Sequence, residues 1–157
     1  MRIYLAGFIN GNKIEECVSW RRNIREFYNN YKGAKYPIEW LDPCNGYELA
    51  NIDAQGLTSN LPANMIVDKD FLSVNNSDLV IANMNTFGEE RPPIGTICEI
   101  TWAKFLRKPV IMISDNPLYI NHPFLKDFTS VIVPTVEELL DKKYINSFFK
   151  SINSAEY

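Results

Sequence analysis

The sequence predicts an α/β fold: a doubly wound parallel sheet of five strands with helices on both faces. Three observations predict it. Short apolar segments alternate with segments whose apolar residues recur every three or four positions. The short segments are continuous apolar runs, as expected of strands covered on both sides. The first ends in Gly and the second in Asp-Pro, residues that close strands and open loops.

Taken in order, "RIYLAG" is a buried first strand. Ile14, Cys17, Val18, Ile24, Phe27, Tyr28 and Tyr31 then mark an amphipathic helix over 13–31. "PIEWLDP" is a second strand closed by Asp-Pro, and residues 44–62 form a long loop, a length often kept for function. "ANMIVDKDFLSVNNS" is a second helix, "SDLVIANM" a third strand and Asn83–Gly95 a loop with two prolines. Thr96–Arg107 is a third helix, "KPVIMIS" a fourth strand and "SVIVPT" a short fifth. A closing helix runs through "TVEELLDKKYINSFFKSI", with Thr135 as N-cap and Glu138 three residues on. Five βα units of this size in one 157-residue domain suit the flavodoxin-like strand order 2-1-3-4-5.

Composition excludes several classes. With 46% hydrophobic residues, 22% charged and a net charge of −3, the chain has no basic surface for nucleic acid or an anionic membrane. Arg21, Arg22 and Arg25 read as a solvated helix face. The N-terminus turns polar too soon for a signal peptide and no apolar run reaches about 18 residues, so the expected location is the cytoplasm. Cys17, Cys44 and Cys98 are odd in number and far apart, against a disulfide framework or a structural zinc. His122 is the single histidine, which leaves no basis for a His-based metal cluster or a Ser-His-Asp triad.

In a doubly wound sheet the ligand lies beyond the carboxyl ends of the strands, where the order reverses. That rule selects "LAGFING", "DPCNG" with the loop after it, and "NTFGEERPPIGT". Glu99 stands at the top of the helix after the last of these. At 100° per residue from Ile97 it lies at about 200°, with Trp102, Ala103 and Leu106 and away from Thr101, Lys104 and Arg107. Thr96-Ile97-Cys98-Glu99 also matches a capping box, and a first-turn acid is held charged by the helix dipole and free amides, while partial burial pushes its pKa the other way. Such a carboxylate, poorly solvated and facing a cleft, suits a nucleophile. A second acid for glycosyl chemistry is offered by Asp68 or Asp70, which spacing does not separate. Tyr4, on strand 1, is either a core aromatic or a phenol within reach of a carboxylate.

"IYLAGFINGN", the acid-bearing helix before "SDLVIANM", and "GTICEITWAKFLRKPVIMI" together resemble the nucleoside 2-deoxyribosyltransferase family over nearly the whole chain. The resemblance implies cleavage of the N-glycosidic bond of a 2′-deoxynucleoside and transfer of the sugar to another free nucleobase. The transfer proceeds with retention through a covalent glutamyl intermediate, in a nucleotide-salvage role without metal or organic cofactor. It implies Glu99 as nucleophile, Asp70 as the acid working on the base, and Tyr4 as the residue that positions Glu99. It places Phe8 on the substrate, with the glycine after Ala6 (Gly7), Asn45, Gly95 and Asn121 as further binding positions. It also implies a homo-oligomer, dimer or hexamer, with the site completed by a neighbouring subunit through the segment "NPLYINHPF". Pro93 departs from the pattern, standing where well-studied members carry an aspartate; Glu89 and Glu90 lie in the same loop. Some members bring their C-terminal carboxylate, here that of Tyr157, near the site. Two alternatives share the scaffold: a 2′-deoxynucleoside 5′-monophosphate N-glycosidase, and a non-catalytic sensor of a nucleotide-derived signal. "GFINGN" has no Ser or Arg to hold a phosphate; Thr86 and Arg91 in the second loop, or Arg21 and Arg22, are the remaining candidates.

Overall fold

The computed structural model describes residues 1–9, 11–31, 37–44 and 61–149. Asn45, most of the expected 44–62 loop, and Tyr157 lie outside the described residues. Five strands, β1 (Arg2–Gly7), β2 (Glu39–Leu41), β3 (Leu79–Asn83), β4 (Val110–Ile113) and β5 (Val131–Val133), form one sheet in the order β2-β1-β3-β4-β5. Every neighbouring pair is parallel. The expected order is therefore observed.

Side-chain alternation along the strands builds two cores. Ile3 and Leu5 of β1 point to one face with Leu79, Ile81 and Ile111, against Trp20, Ile24 and Tyr28 of α1 (Ile14–Asn30) and Leu139 of α6 (Val136–Lys142). Tyr4 and Ala6 point to the other face with Val80, Ala82 and Met112. That face is covered by Val74 of α2 (Ala63–Asn76), Ile100 and Ala103 of α3 (Ile94–Phe105), and Leu125 of α5 (Pro123–Phe128). Each fully buried aliphatic contributes about 1.5–3 kcal/mol, so the two layers supply the main driving force for folding.

Four expectations are corrected. The segment after β4 is not simply a connection: it holds α4 (Pro117–Ile120) and α5, each opened by a proline at its first position. The second strand is three residues long rather than seven. The closing helix stops at Lys143, which takes φ 53°, and continues as a 3₁₀ turn, Tyr144–Phe148. The third helix starts at Ile94, two residues early, and ends before Arg107, which is left-handed at φ 56°. At α6 the expected cap is present: Thr135 Oγ1 accepts from Glu138 N at 3.2 Å.

Gly7 closes β1 against α1. A Cβ built there would lie 2.7 Å from Trp20 Cζ2 and 3.2 Å from Arg21 Nη2. Both side chains are buried and have nowhere to go. Gly7→Ala is expected to destabilise the chain by about 1–3 kcal/mol, read as a lower urea midpoint at unchanged m-value.

Candidate active site

Tyr4 and Glu99 meet between β1 and α3. Tyr4 is fully buried on the α2/α3 face, and its hydroxyl donates to Glu99 Oε1 at 2.6 Å, across 95 residues of sequence. Glu99 is 6% exposed, on the helix face with Ile100 and Ala103. The helical wheel thus points Glu99 inward as expected.

The capping box is overturned. Because α3 begins at Ile94 with Pro93 at the N-cap, Glu99 is the sixth helical residue and Thr96 is buried inside the first turn. The free amides and positive end of the dipole lie a turn away, where their effect has largely decayed. Desolvation then dominates, and the Glu99 carboxyl is pushed up from 4.5 to about 8. The Tyr4 hydrogen bond opposes that shift, the charge of Asp70 adds to it, and Arg21 and Lys69 oppose it more weakly. Of the two opposing effects expected at this position, burial outweighs the helix start, and the protonated form of Glu99 is favoured relative to a free carboxyl. Burial and the Glu99 charge hold the Tyr4 phenol well above its ordinary range, so it stays a donor.

The structure separates the two acids of α2. Asp68 is exposed. Asp70 is half-buried, and its charge acts on both Tyr4 and Glu99. Asp70 Oδ1 is buried, accepts no hydrogen bond and is ion-paired with Lys69 Nζ at 3.0 Å. Phe71 and Trp102, edge to face at 5.5 Å, close the gap between α2 and α3 beside them.

Other expected positions are more dispersed. Phe8 is half-buried, with the Arg91 guanidinium 5.0 Å over its ring. Arg91 also pairs with Glu89 at 3.3 Å, and Glu89 and Glu90 are exposed. A Cβ at Gly95 would meet nothing within 4 Å. Asn121 is exposed at the end of α4, its amide donating to Pro117 O at 3.0 Å, and is not brought to the Tyr4–Glu99 pair. His122 is exposed beside Phe124. All three cysteines are free. A separate cleft past the ends of β3 and β4, lined by Trp20, Asn83, Ser114, Asn116 and Thr135, does not include Glu99.

The sequence reading missed Arg21. Far from a solvated face, its side chain is 0% exposed and ion-paired with Asp42, itself 1% exposed. The available signal was the acid of "WLDP" opposite "WRR".

If Glu99 must ionise to react, kcat/KM should rise with pH through about 8. Tyr4→Phe removes the hydrogen bond that favours the charged form, so its rising limb should move further alkaline. A profile of kcat/KM from pH 5 to 10 on both proteins checks the sign.

No curated protein matches the chain by sequence. Among solved structures, a conserved protein of Enterococcus faecalis V583 superposes with a TM-score of 0.63 at 18% identity, covering 93% of this chain and 98% of the other. A 2-deoxyribosyltransferase from Leishmania mexicana does so at 0.60 and 19%, covering 92% and 97%. A CMP N-glycosidase of Clostridium botulinum does so at 0.57 and 20%, covering 93% and 99%. At these identities the likeness concerns the fold. No helix among the described residues is long and apolar enough to cross a membrane. The profile of the family described as nucleoside 2-deoxyribosyltransferase matches residues 3–143, from the start of β1 to the end of α6, and the chain belongs to that family.

Proposed function

We propose that this chain is a nucleoside 2-deoxyribosyltransferase in activity as well as family, with Glu99 as nucleophile. The supporting observation is the buried Tyr4–Glu99 bond with Asp70 beside it. A carboxyl with its pKa near 8 is costly to keep in a fold, and groups perturbed this far cluster at reacting centres. Tyr4 holds Oε1 and fixes the rotamer, which leaves Oε2 to approach the anomeric carbon. A 2-deoxy sugar has no electron-withdrawing 2-hydroxyl, so its oxocarbenium-like transition state is easily reached, and a carboxylate stabilises it and collapses onto it. Asp70 relays a proton from water to the departing base and returns one to water when the second base adds. A second base then attacks the glycosyl ester from the same face, giving retention.

The second reading, hydrolysis of a nucleoside monophosphate, is favoured by Arg91, whose guanidinium stands over Phe8 where the loops after β1 and β3 meet. Incubation with deoxyinosine and adenine, or with deoxythymidine and cytosine, separates the readings. Exchanged nucleoside is expected. Free sugar phosphate from monophosphates, without exchange, would establish the hydrolase instead, and binding without turnover of either class would leave a sensor.

A homo-oligomer fits the surface of the same face. Met65 and Leu72 of α2, Phe105 of α3, Leu118 of α4 and Phe124 of α5 are all more than half exposed. A second copy packed there would cover this apolar area and bring the Asn121 segment toward a neighbouring site.

A further inference from the structure

The sheet has a gap beside the site. Glu39 N donates to Met1 O at 2.9 Å and Asp78 N to Arg2 O at 2.8 Å, so the odd-numbered carbonyls of β1 face β2 and the even-numbered face β3. β1 pairs with β3 as far as Gly7↔Asn83. Its pairing with β2 stops at Tyr4↔Leu41. The carbonyls of Leu5 and Gly7 therefore look past the end of β2, where no strand among the described residues supplies donors.

Arg21 supplies them. Its Nε donates to Leu5 O at 3.2 Å and its Nη2 to Gly7 O at 3.2 Å, while Nη1 donates to Cys17 O on its own helix. Asp42, the first residue after β2, pairs with Arg21 Nε at 3.4 Å through Oδ1 and with Arg25 through Oδ2, and accepts from Cys44 N at 2.8 Å. A buried charge is tolerated when it is paired and, as here, each of its nitrogens is hydrogen-bonded. The guanidinium thus completes the sheet where β2 ends, and the network fixes the points at which the chain leaves both β1, toward Phe8, and β2, toward Cys44.

We propose that Arg21 is a positioning residue of the active site, fixing from the place of the missing strand the carboxyl end of β1, the strand that carries Tyr4 to Glu99. The inference rests on the reading of Glu99 as the reacting group. The titratable and charged groups that act on Glu99 are Tyr4 from β1, Asp70 and Lys69 from α2 and, from the α1 side of the sheet, Arg21; those around Arg21 are Asp42, Arg25, Cys17 and Cys44. Arg21 favours the charged form of both Glu99 and Tyr4.

The test is the pH profile of kcat/KM for Arg21→Met, Arg21→Lys and Asp42→Asn, with exposed Arg22→Met as control. Arg21→Met should move the rising limb alkaline, a loss of rate at neutral pH that is recovered in alkaline assay. Arg21→Lys keeps the charge but not the fork, so its plateau should fall while its limb stays in place. Asp42→Asn leaves the guanidinium charge uncompensated and should move the limb the opposite way, which decides the matter if Arg21→Met does not fold. The Glu99 carboxyl band, followed by infrared spectroscopy in ¹³C-glutamate-labelled protein against Glu99→Gln, should shift in parallel without substrate. If no nucleoside or monophosphate turns over but the band shifts as stated, the placement of Arg21 stands and the reaction assigned above falls. Limbs and bands unmoved in both Arg21→Met and Asp42→Asn, with activity tracking only the folded fraction, would overturn the proposal.

Discussion

Glu99→Gln is expected to lower turnover by at least about 10⁴-fold, as loss of a nucleophile does elsewhere, while making the folded chain more stable at alkaline pH. The two effects share one cause. Glutamine keeps the shape and can still accept from Tyr4, so the loss of rate reflects lost nucleophilicity rather than lost packing. For stability, the folded carboxyl titrates near 8 and the unfolded one near 4.5. Between those values the folded chain holds a proton that the unfolded chain has released. This contribution is fully present below pH 4.5 and is lost as pH rises through 8, at about 1.4 kcal/mol per pH unit across the window. Glu99→Gln does not titrate, so its Tm should overtake that of the native chain as pH rises. Thermal melts at pH 5, 7 and 9 with exchange assays on the same samples check both halves. A variant that keeps its rate would remove Glu99 from the chemistry. Intact-mass analysis of the native enzyme quenched in mid-reaction should show one added deoxyribosyl group, absent from Glu99→Gln treated in the same way.

Asp70→Asn is expected to lower kcat by about 10²–10⁴-fold, the range for a general acid, while Asp68→Asn leaves it unchanged. The distinction follows from the turn of α2, which sends Asp68 to solvent and Asp70 toward Glu99. Asparagine cannot donate a carboxyl proton, so the deficit should be largest for substrates whose base is a poor leaving group and smallest for an activated base. Removing the Asp70 charge also relieves its repulsion of Glu99, so the rising limb should move toward acid pH in this variant. Comparing kcat across a leaving-group series, with a pH profile for each variant, tests both. Equal losses for Asp68→Asn and Asp70→Asn would point to a general effect of charge on α2.

Much of the fold was legible because its signals are local. Continuous apolar runs marked all five strands, and spacing of three and four residues marked α1. α4 and α5 were missed because "NPLYINHPF" is too short to show a period and its prolines read as breakers, although each proline opens a helix. The start of α3 was misplaced because Thr and Glu three apart imitate a cap, whereas Pro93 sets the boundary. Among the site residues, Glu99 was visible as an acid on an apolar face, but Asp68 and Asp70 were equivalent until α2 was seated on the sheet.

By itself the sequence determined the parallel α/β class and the inward direction of Glu99, because both follow from periodicity and from which residues water rejects. Tertiary structure alone decided the ionisation of that acid and the burial of Arg21. Desolvation, a tyrosine 95 residues away and an unpaired strand end are properties of how the elements pack, and no local pattern encodes them.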